Sequence, residues 1–214
     1  MNSVRVGLLG ERIATVLRER IVRGEIPRGA HLVEESLAEE FDVSRGPIRD
    51  ALRSLAAQGL LETKRQGVFV RGLLEADVNE LYSLRTAIEL LALRLAIESD
   101  GSWAGVEPEL ANMSAAADAG NWGEFAEHDL AFHDAFYKLS GHSRLQSTWD
   151  QYRPTFSVML KLTNERDVDL HPSAEDHRQL LAHARSGDVE GAVGILDAHL
   201  EGSRQRMIDA LHDR

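Results

Sequence analysis

A twenty-residue stretch, Phe41-Asp-Val-Ser-Arg-Gly-Pro-Ile-Arg-Asp-Ala-Leu-Arg-Ser-Leu-Ala-Ala-Gln-Gly-Leu60, restricts the fold of this chain more than any other. Ser44 suits a helix N-cap, and Pro47 falls in the first turn, where a missing N–H costs little because those amides have no intrahelical partner. At about 100° per residue, Ile48, Ala51, Leu52 and Leu55 share one arc of that helix. Arg45, Arg49 and Arg53, at i, i+4 and i+8, form a stripe beside it. One side can dock on a core while the other presents three guanidiniums. Guanidinium reads guanine O6 and N7 bidentately and also pairs with phosphate. The first turn of a recognition helix is the part that enters the major groove. A solvated surface helix could carry the same stripe, so the neighbouring residues have to decide.

Ahead of the stripe, Leu32-Val-Glu-Glu-Ser-Leu-Ala-Glu-Glu-Phe41 places Leu37, Ala38 and Phe41 at helical spacing, and only Asp42 and Val43 separate it from Ser44. That is helix, short turn, helix. Behind the stripe, Gly59 ends the second helix, and Leu61-Glu-Thr-Lys-Arg-Gln-Gly-Val-Phe-Val70 reads as two short strands turned at Arg65-Gln66-Gly67. Together these predict a winged helix-turn-helix. Leu9, Ile13, Val16, Leu17, Ile21 and Val22 give a first helix, stopped by Gly24.

In order and spacing, Gly24-Glu-Ile-Pro-Arg-Gly-Ala-His-Leu32, Leu37-Ala38, Val43-Ser-Arg-Gly-Pro-Ile-Arg-Asp-Ala-Leu52 and Gln66-Gly-Val-Phe-Val70 resemble the DNA-binding half of the GntR family of bacterial transcription regulators, over residues 8–72. The resemblance implies DNA contacts from Ser44, Arg45, Arg49 and Gly67; Arg53 and Gln66 join them as continuations of the stripe and the wing tip. Some members carry an additional basic residue in the preceding helix, where this chain has Glu34 and Glu35. Its base preference therefore cannot be copied from them.

A net charge of −11 suits DNA poorly until it is divided. Residues 1–72 hold 12 Lys and Arg against 10 Asp and Glu, net +2, and residues 73–214 hold 12 against 25, net −13. A mildly positive head on an acidic body turns the head toward phosphate and argues against tight non-specific binding. The absence of cysteine excludes disulfides, thiolate zinc sites and thiol catalysis. No apolar run approaches the roughly 20 residues of a membrane span, and the N-terminus lacks a signal-peptide core. The expectation is a cytoplasmic protein.

From Glu75 onward the pattern is helical, with breaks at Gly101, around Gly120, at Gly141, near Asn164 to Pro172 and at Gly187. The predicted fold is mainly α: a winged helix-turn-helix over residues 1–72 and an all-α bundle of about six helices over 73–214. Leu81, Leu84, Ile88, Leu91 and Leu95 mark the expected buried face of the first of these, at about 75–99.

Asp129 and His133 stand at i, i+4 among Leu130, Phe132 and Phe136, so a carboxylate and an imidazole project from one face of a buried helix. His177 lies 10 residues before Gly187 and His199 12 after it, which brings both to similar height in an antiparallel hairpin. The four could converge on Zn²⁺, Ni²⁺, Mn²⁺ or Fe²⁺, among which ligand type does not choose. With nine histidines in the chain, any one of them could equally be incidental.

The set resembles the metal site of the FCD domain, the helical effector domain of the FadR-type branch of GntR regulators, with gaps of 44 and 22 residues between the histidines. Weaker matches are Leu84-Arg85-x-x-Ile88-Glu89 and Asp188-x-x-x-Ala192, and the short bundle is similar to the VanR-like subgroup. The resemblance implies a divalent metal, with Zn the leading choice, beside a small carboxylate effector faced by Arg85. A buried arginine there would need an anion in any case, which could equally be Glu89 at i+4. Arg153, Tyr152 and Asn164 are further candidates to line the effector cavity.

The function expected is a regulator, of the repressing kind common in the family, that binds a pseudo-palindromic double-stranded operator as a homodimer and responds to its effector by a population shift. Two alternatives stay open: a metal-dependent enzyme in the helical half, against which the lack of His-Glu-x-x-His and of Glu-x-x-His argues, and an adaptor held together by a structural metal.

Overall fold

The computed structural model describes residues 2–99 and 102–213, with side chains from residue 9 onward. Two compact units follow one another along the chain, Met1–Leu74 and Glu75–Arg214.

In the first unit, α1 (Asn2–Val22) packs on α3 (Arg45–Ala57), preceded by the short α2 (Glu34–Glu40). Ile13, Leu17 and Ile21 of α1 and Ile48, Ala51, Leu52 and Leu55 of α3 are buried. Each large aliphatic among them contributes about 1.5–3 kcal/mol by leaving water. The helices approach closely at Gly10, where a Cβ would stand 3.1 Å from Asp50 Cβ. Arg18 is the unexpected member of this core: at 1% exposure its Nε donates to Gln58 Oε1 at 2.8 Å, tying α1 to the end of α3. Burial lowers its pKa. Ser44 occupies the N-cap position of α3 in extended conformation, but its hydroxyl makes no capping hydrogen bond.

The wing is β2 (Leu61–Lys64) and β3 (Gly67–Val70), antiparallel, with Lys64 opposite Gly67. A third strand, β1 (His31–Leu32), pairs antiparallel with β3 and makes the sheet order β1-β3-β2. Two residues are too few to show the alternation by which strands are read, so β1 had no signature in the sequence.

The second unit holds, among the described residues, six α-helices: α4 (Glu75–Glu98), α5 (Glu107–Asp118), α6 (Trp122–Leu139), α7 (Ser143–Asn164), α8 (His171–Ser186) and α9 (Val189–His212), with a single 3₁₀ turn at Trp103–Gly105. The break expected at Gly101 lies outside the described residues. Gly187, at φ +77°, caps α8, and Asp188 caps α9 by accepting from the Gly191 amide, so α8 and α9 form a tight hairpin. Helices α4, α6, α7, α8 and α9 enclose the core.

The expected buried face of α4 needs correcting. Its buried line is Val78, Tyr82, Arg85, Glu89, Ala92, Leu93 and Ala96. Leu81, Leu84, Ile88 and Leu95 are half-buried, and Leu91 is 44% exposed. The helix is apolar on most of its circumference, so periodicity could not choose the inner face. Small alanines admit close helix packing there, and Arg85 and Glu89 enter the core by pairing with each other.

Candidate functional site

The three arginines of α3 lie on its exposed side, and each meets a carboxylate. Arg45 Nη2 donates to Glu35 Oε1 at 2.5 Å, and Arg49 Nε donates to Glu34 Oε2 at 2.8 Å. Arg53, 80% exposed, is 3.9 Å from Asp50. Both glutamates belong to the first turn of α2. Gln66 is exposed at the wing turn, and Gly67 follows at φ +133°. A Cβ on Gly67 would overlap the His31 ring, which stacks on Phe69 with centroids 4.6 Å apart. His31 is a wing residue that sequence reasoning missed, because only the pairing of β1 with β3 carries it there.

In the helical unit Asp129, His133, His177 and His199 come together with ligand atoms all within 4.8 Å of one another. They are 2%, 0%, 1% and 7% exposed. Helix α6 supplies the first two one turn apart, and the α8–α9 hairpin supplies the others. Aromatic rings wall the cluster: Phe132 lies edge-on to His177 at 4.9 Å and Phe136 edge-on to His133 at 5.7 Å.

The hydrogen bonds decide which nitrogens face inward. His177 Nδ1 is 2.6 Å from the Ser173 carbonyl, which can only accept, so the proton is on Nδ1. His133 Nδ1 donates in the same way to the Glu89 carboxylate. Both rings turn Nε2 inward, and the two Nε2 atoms are 3.2 Å apart. Unprotonated, both would be ligands for one shared cation. Two imidazole ligands on a tetrahedral Zn²⁺ at about 2.0–2.1 Å would stand about 3.3–3.4 Å apart. Asp129 Oδ1, buried without a hydrogen-bond partner, sits 3.6 Å from His133 Nε2. Burial pushes the His177 pKa down to about 3 and lowers that of His199. Neutral imidazole is the ligating form. The donor set fits a divalent metal.

Behind His133 runs a buried charge relay that the sequence did not reveal. Glu89 takes His133 Nδ1 on one oxygen and Arg85 Nε on the other at 2.9 Å, and Tyr137 donates to it at 3.4 Å. Burial opposes the charge of Glu89, but Arg85 and His133 outweigh it and hold its pKa well below the usual carboxylate range. A carboxylate behind a metal-binding histidine fixes the ring and raises its basicity. Glu89 stood in the sequence as part of a weak motif and a possible partner for Arg85; nothing in the pattern tied it to a residue 44 positions away.

Arg85, 1% exposed, lies over the rings of Trp149 and Phe156 at 5.2 and 4.9 Å. It makes the Glu89 pair, and its Nη2 remains buried without a partner. Asn164 at the end of α7 is 5% exposed and its Nδ2 is likewise unpartnered. Arg153 differs: its Nε and Nη2 grip Asp134 at 2.8–2.9 Å, beside the Trp149 Nε1 donor at 2.6 Å. Those donors pair with Asp134. Tyr152 is half-buried.

Two family models match this chain, "Bacterial regulatory proteins, gntR family" over residues 9–70 and "FCD domain" over residues 80–202. The gluconate operon transcriptional repressor of Bacillus licheniformis is 33% identical over 207 residues, covering 94% of this chain and 85% of its own length. The protein of the same name from Bacillus subtilis is 31% identical over 179 residues, 80% of this chain and 71% of its own. Among solved structures, E. coli McbR/YncC superposes with a TM-score of 0.74 at 22% identity over 94% of this chain and 97% of its own, a likeness of fold. Winged head and helical bundle, with these matches, define a DNA-binding transcription regulator with a separate helical domain. The chain belongs to the GntR family, in the branch whose second domain is an FCD domain.

Proposed function

We propose that this regulator is a repressor that holds a divalent metal on Asp129, His133, His177 and His199 and leaves its operator when a small carboxylate binds beside that metal. The observation that carries the reading is the convergence of four buried ligand groups within 4.8 Å, with two Nε2 atoms 3.2 Å apart next to the unpartnered Asp129 Oδ1. Three imidazoles and a carboxylate suit Zn²⁺, the leading choice from the family resemblance, and equally Ni²⁺, Mn²⁺ or Fe²⁺. When bound, the metal supplies positive charge and open coordination positions for a carboxylate oxygen. The unpartnered Nη2 of Arg85 and Nδ2 of Asn164 are two buried donors in the same domain that suit an anion. Glu89 and the Ser173 carbonyl keep two of the histidines in one tautomer and orientation.

On the DNA side, Ser44, Arg45, Arg49 and Arg53 present polar groups from α3, and Gln66 and Gly67 form the wing tip. The free hydroxyl of Ser44 and the exposed guanidiniums support major-groove and phosphate contacts. The half-exposed line Leu81, Leu84, Ile88, Leu91 and Leu95 on α4 supports a second copy of the chain as partner, as a pseudo-palindromic operator requires. Gluconate, which gives two of the relatives their name, is the first acid to try.

Metal analysis of the purified protein and its His177→Ala variant tests the site. The reading expects close to one divalent ion per chain in the former and a large loss in the latter; full occupancy in the variant would reject the ligand set. A metal that raises the melting temperature while no small acid alters either melting or DNA binding would make the metal purely structural.

A further inference from the structure

The α2 glutamates face the wrong way for a simple DNA binder. They place two carboxylates on the two arginines of α3 nearest its N-terminus, the end of the helix that enters the groove. The pairs do little for folding: the four side chains are 36–66% exposed, and such pairs contribute about 0–1 kcal/mol. They matter more for charge. Arg45, Arg49 and Arg53 meet Glu35, Glu34 and Asp50, so the reading face is close to neutral as it stands. A carboxylate also presents a guanidinium with the same sign and a similar oxygen fork as a phosphate.

We infer that Glu34 and Glu35 are specificity-determining residues that compete with DNA phosphate for Arg49 and Arg45. Non-specific binding draws its free energy from phosphate contacts and counterion release. An arginine already paired within the protein gains little by exchanging one anion for another. At the operator the exchange is different, because guanine O6 and N7 add a contact that no carboxylate in the protein supplies. Glu34 holds Arg49 through Nε, so its terminal Nη edge stays available for a base. The carboxylates therefore weaken binding to random DNA more than binding to the operator. The inference rests on the reading of Arg45 and Arg49 as DNA contacts.

The experiment uses the full-length chain with Glu34→Gln and Glu35→Gln together, and a labelled random-sequence duplex of about 30 base pairs titrated at about 50 to 200 mM NaCl. Freed of their partners, two arginines should steepen the log K against log salt slope by up to about 1.8 and tighten random-duplex binding about tenfold at low salt. A duplex carrying a site selected from genomic DNA should gain less, so the specificity ratio falls. Glu34→Asp with Glu35→Asp, which keeps both charges, should retain the wild-type slope. An unchanged slope and affinity in the Gln variant overturn the inference, as does a loss of affinity for both duplexes, which would make the glutamates supports for the arginines. Should the double Gln variant not fold, each single one should show about half the slope change. Arg45→Ala with Arg49→Ala tests the underlying assignment separately: a wild-type slope and wild-type operator affinity there would remove these arginines from the interface whatever the glutamates do.

Discussion

Glu89→Gln should damage the helical domain in two measurable ways. The substitution keeps the volume and removes the charge from a carboxylate that is fully buried between Arg85 and His133. Arg85 then remains in the core with an Nη2 that already lacks a partner, faced by the rings of Trp149 and Phe156. Breaking one side of a buried pair costs about 3–5 kcal/mol. Asp129 also acts on Arg85 and compensates in part, which favours the lower end of that range. At about 2–4 °C per kcal/mol for a domain of this size, the melting temperature should fall by about 6–12 °C. His133 loses the acceptor that fixes its Nδ1 proton, and weakening of such an outer contact lowers metal affinity about 10–100-fold. Calorimetry of the metal-free protein and a competition titration with Zn²⁺ read the two effects independently. Adding Arg85→Met to Glu89→Gln should recover most of the stability but not the metal affinity, because the stranded charge is gone while His133 is still unsupported. A Glu89→Gln protein that melts within about 1 °C of the wild type, as an inert surface change would, and binds Zn²⁺ equally well would refute the reasoning.

Three further outcomes are expected. Arg49→Ala should weaken operator binding by about 1–3 kcal/mol if it makes a bidentate base contact, read by anisotropy at fixed salt; an unchanged constant would reject that role. Gly67→Ala forces a Cβ into the His31 ring at φ +133°, a conformation costing about 1–3 kcal/mol, so DNA affinity and proton-exchange protection of the wing should both fall; undisturbed wing exchange would count against the overlap. His171 donates to Asp118 first and to Asp169, and both bonds raise its pKa above 6.5. The protonated ring therefore stabilises the fold fully below 6.5, and the contribution disappears as pH rises through the raised value. His171→Ala should lower the melting temperature more at about pH 5.5 than at about pH 8.5, and the opposite order would contradict this.

The head was legible because its features are local. A helix, a two-residue turn, an arginine stripe and a strand pair each leave a pattern within a few residues, and α3 buries Ile48, Ala51, Leu52 and Leu55 as the spacing predicts. The convergence of Asp129, His133, His177 and His199 could be read because a helix repeat sets Asp129 beside His133 and the Gly187 hairpin sets the height of His177 and His199. What escaped depends on long-range packing. The apolar line of α4 pointed away from its true inner face, since the energetic choice lay in pairing Arg85 with Glu89 and Glu89 with His133 across the bundle. Arg153 stood in the sequence as a candidate lining residue, and its pairing with Asp134, nineteen residues earlier on another helix, left no local signal. Pairing of His31 with Phe69 through β1 is likewise a product of the fold.

The most direct measurement of metal-dependent release is operator binding by the zinc-loaded protein as gluconate is added, with the His177→Ala variant in parallel and the operator taken from genomic selection. Release of the wild type by gluconate, with a variant that still binds DNA but no longer responds, is the predicted result. Equal release of both proteins, with the variant shown to lack metal, would contradict an effector site built on Asp129, His133, His177 and His199.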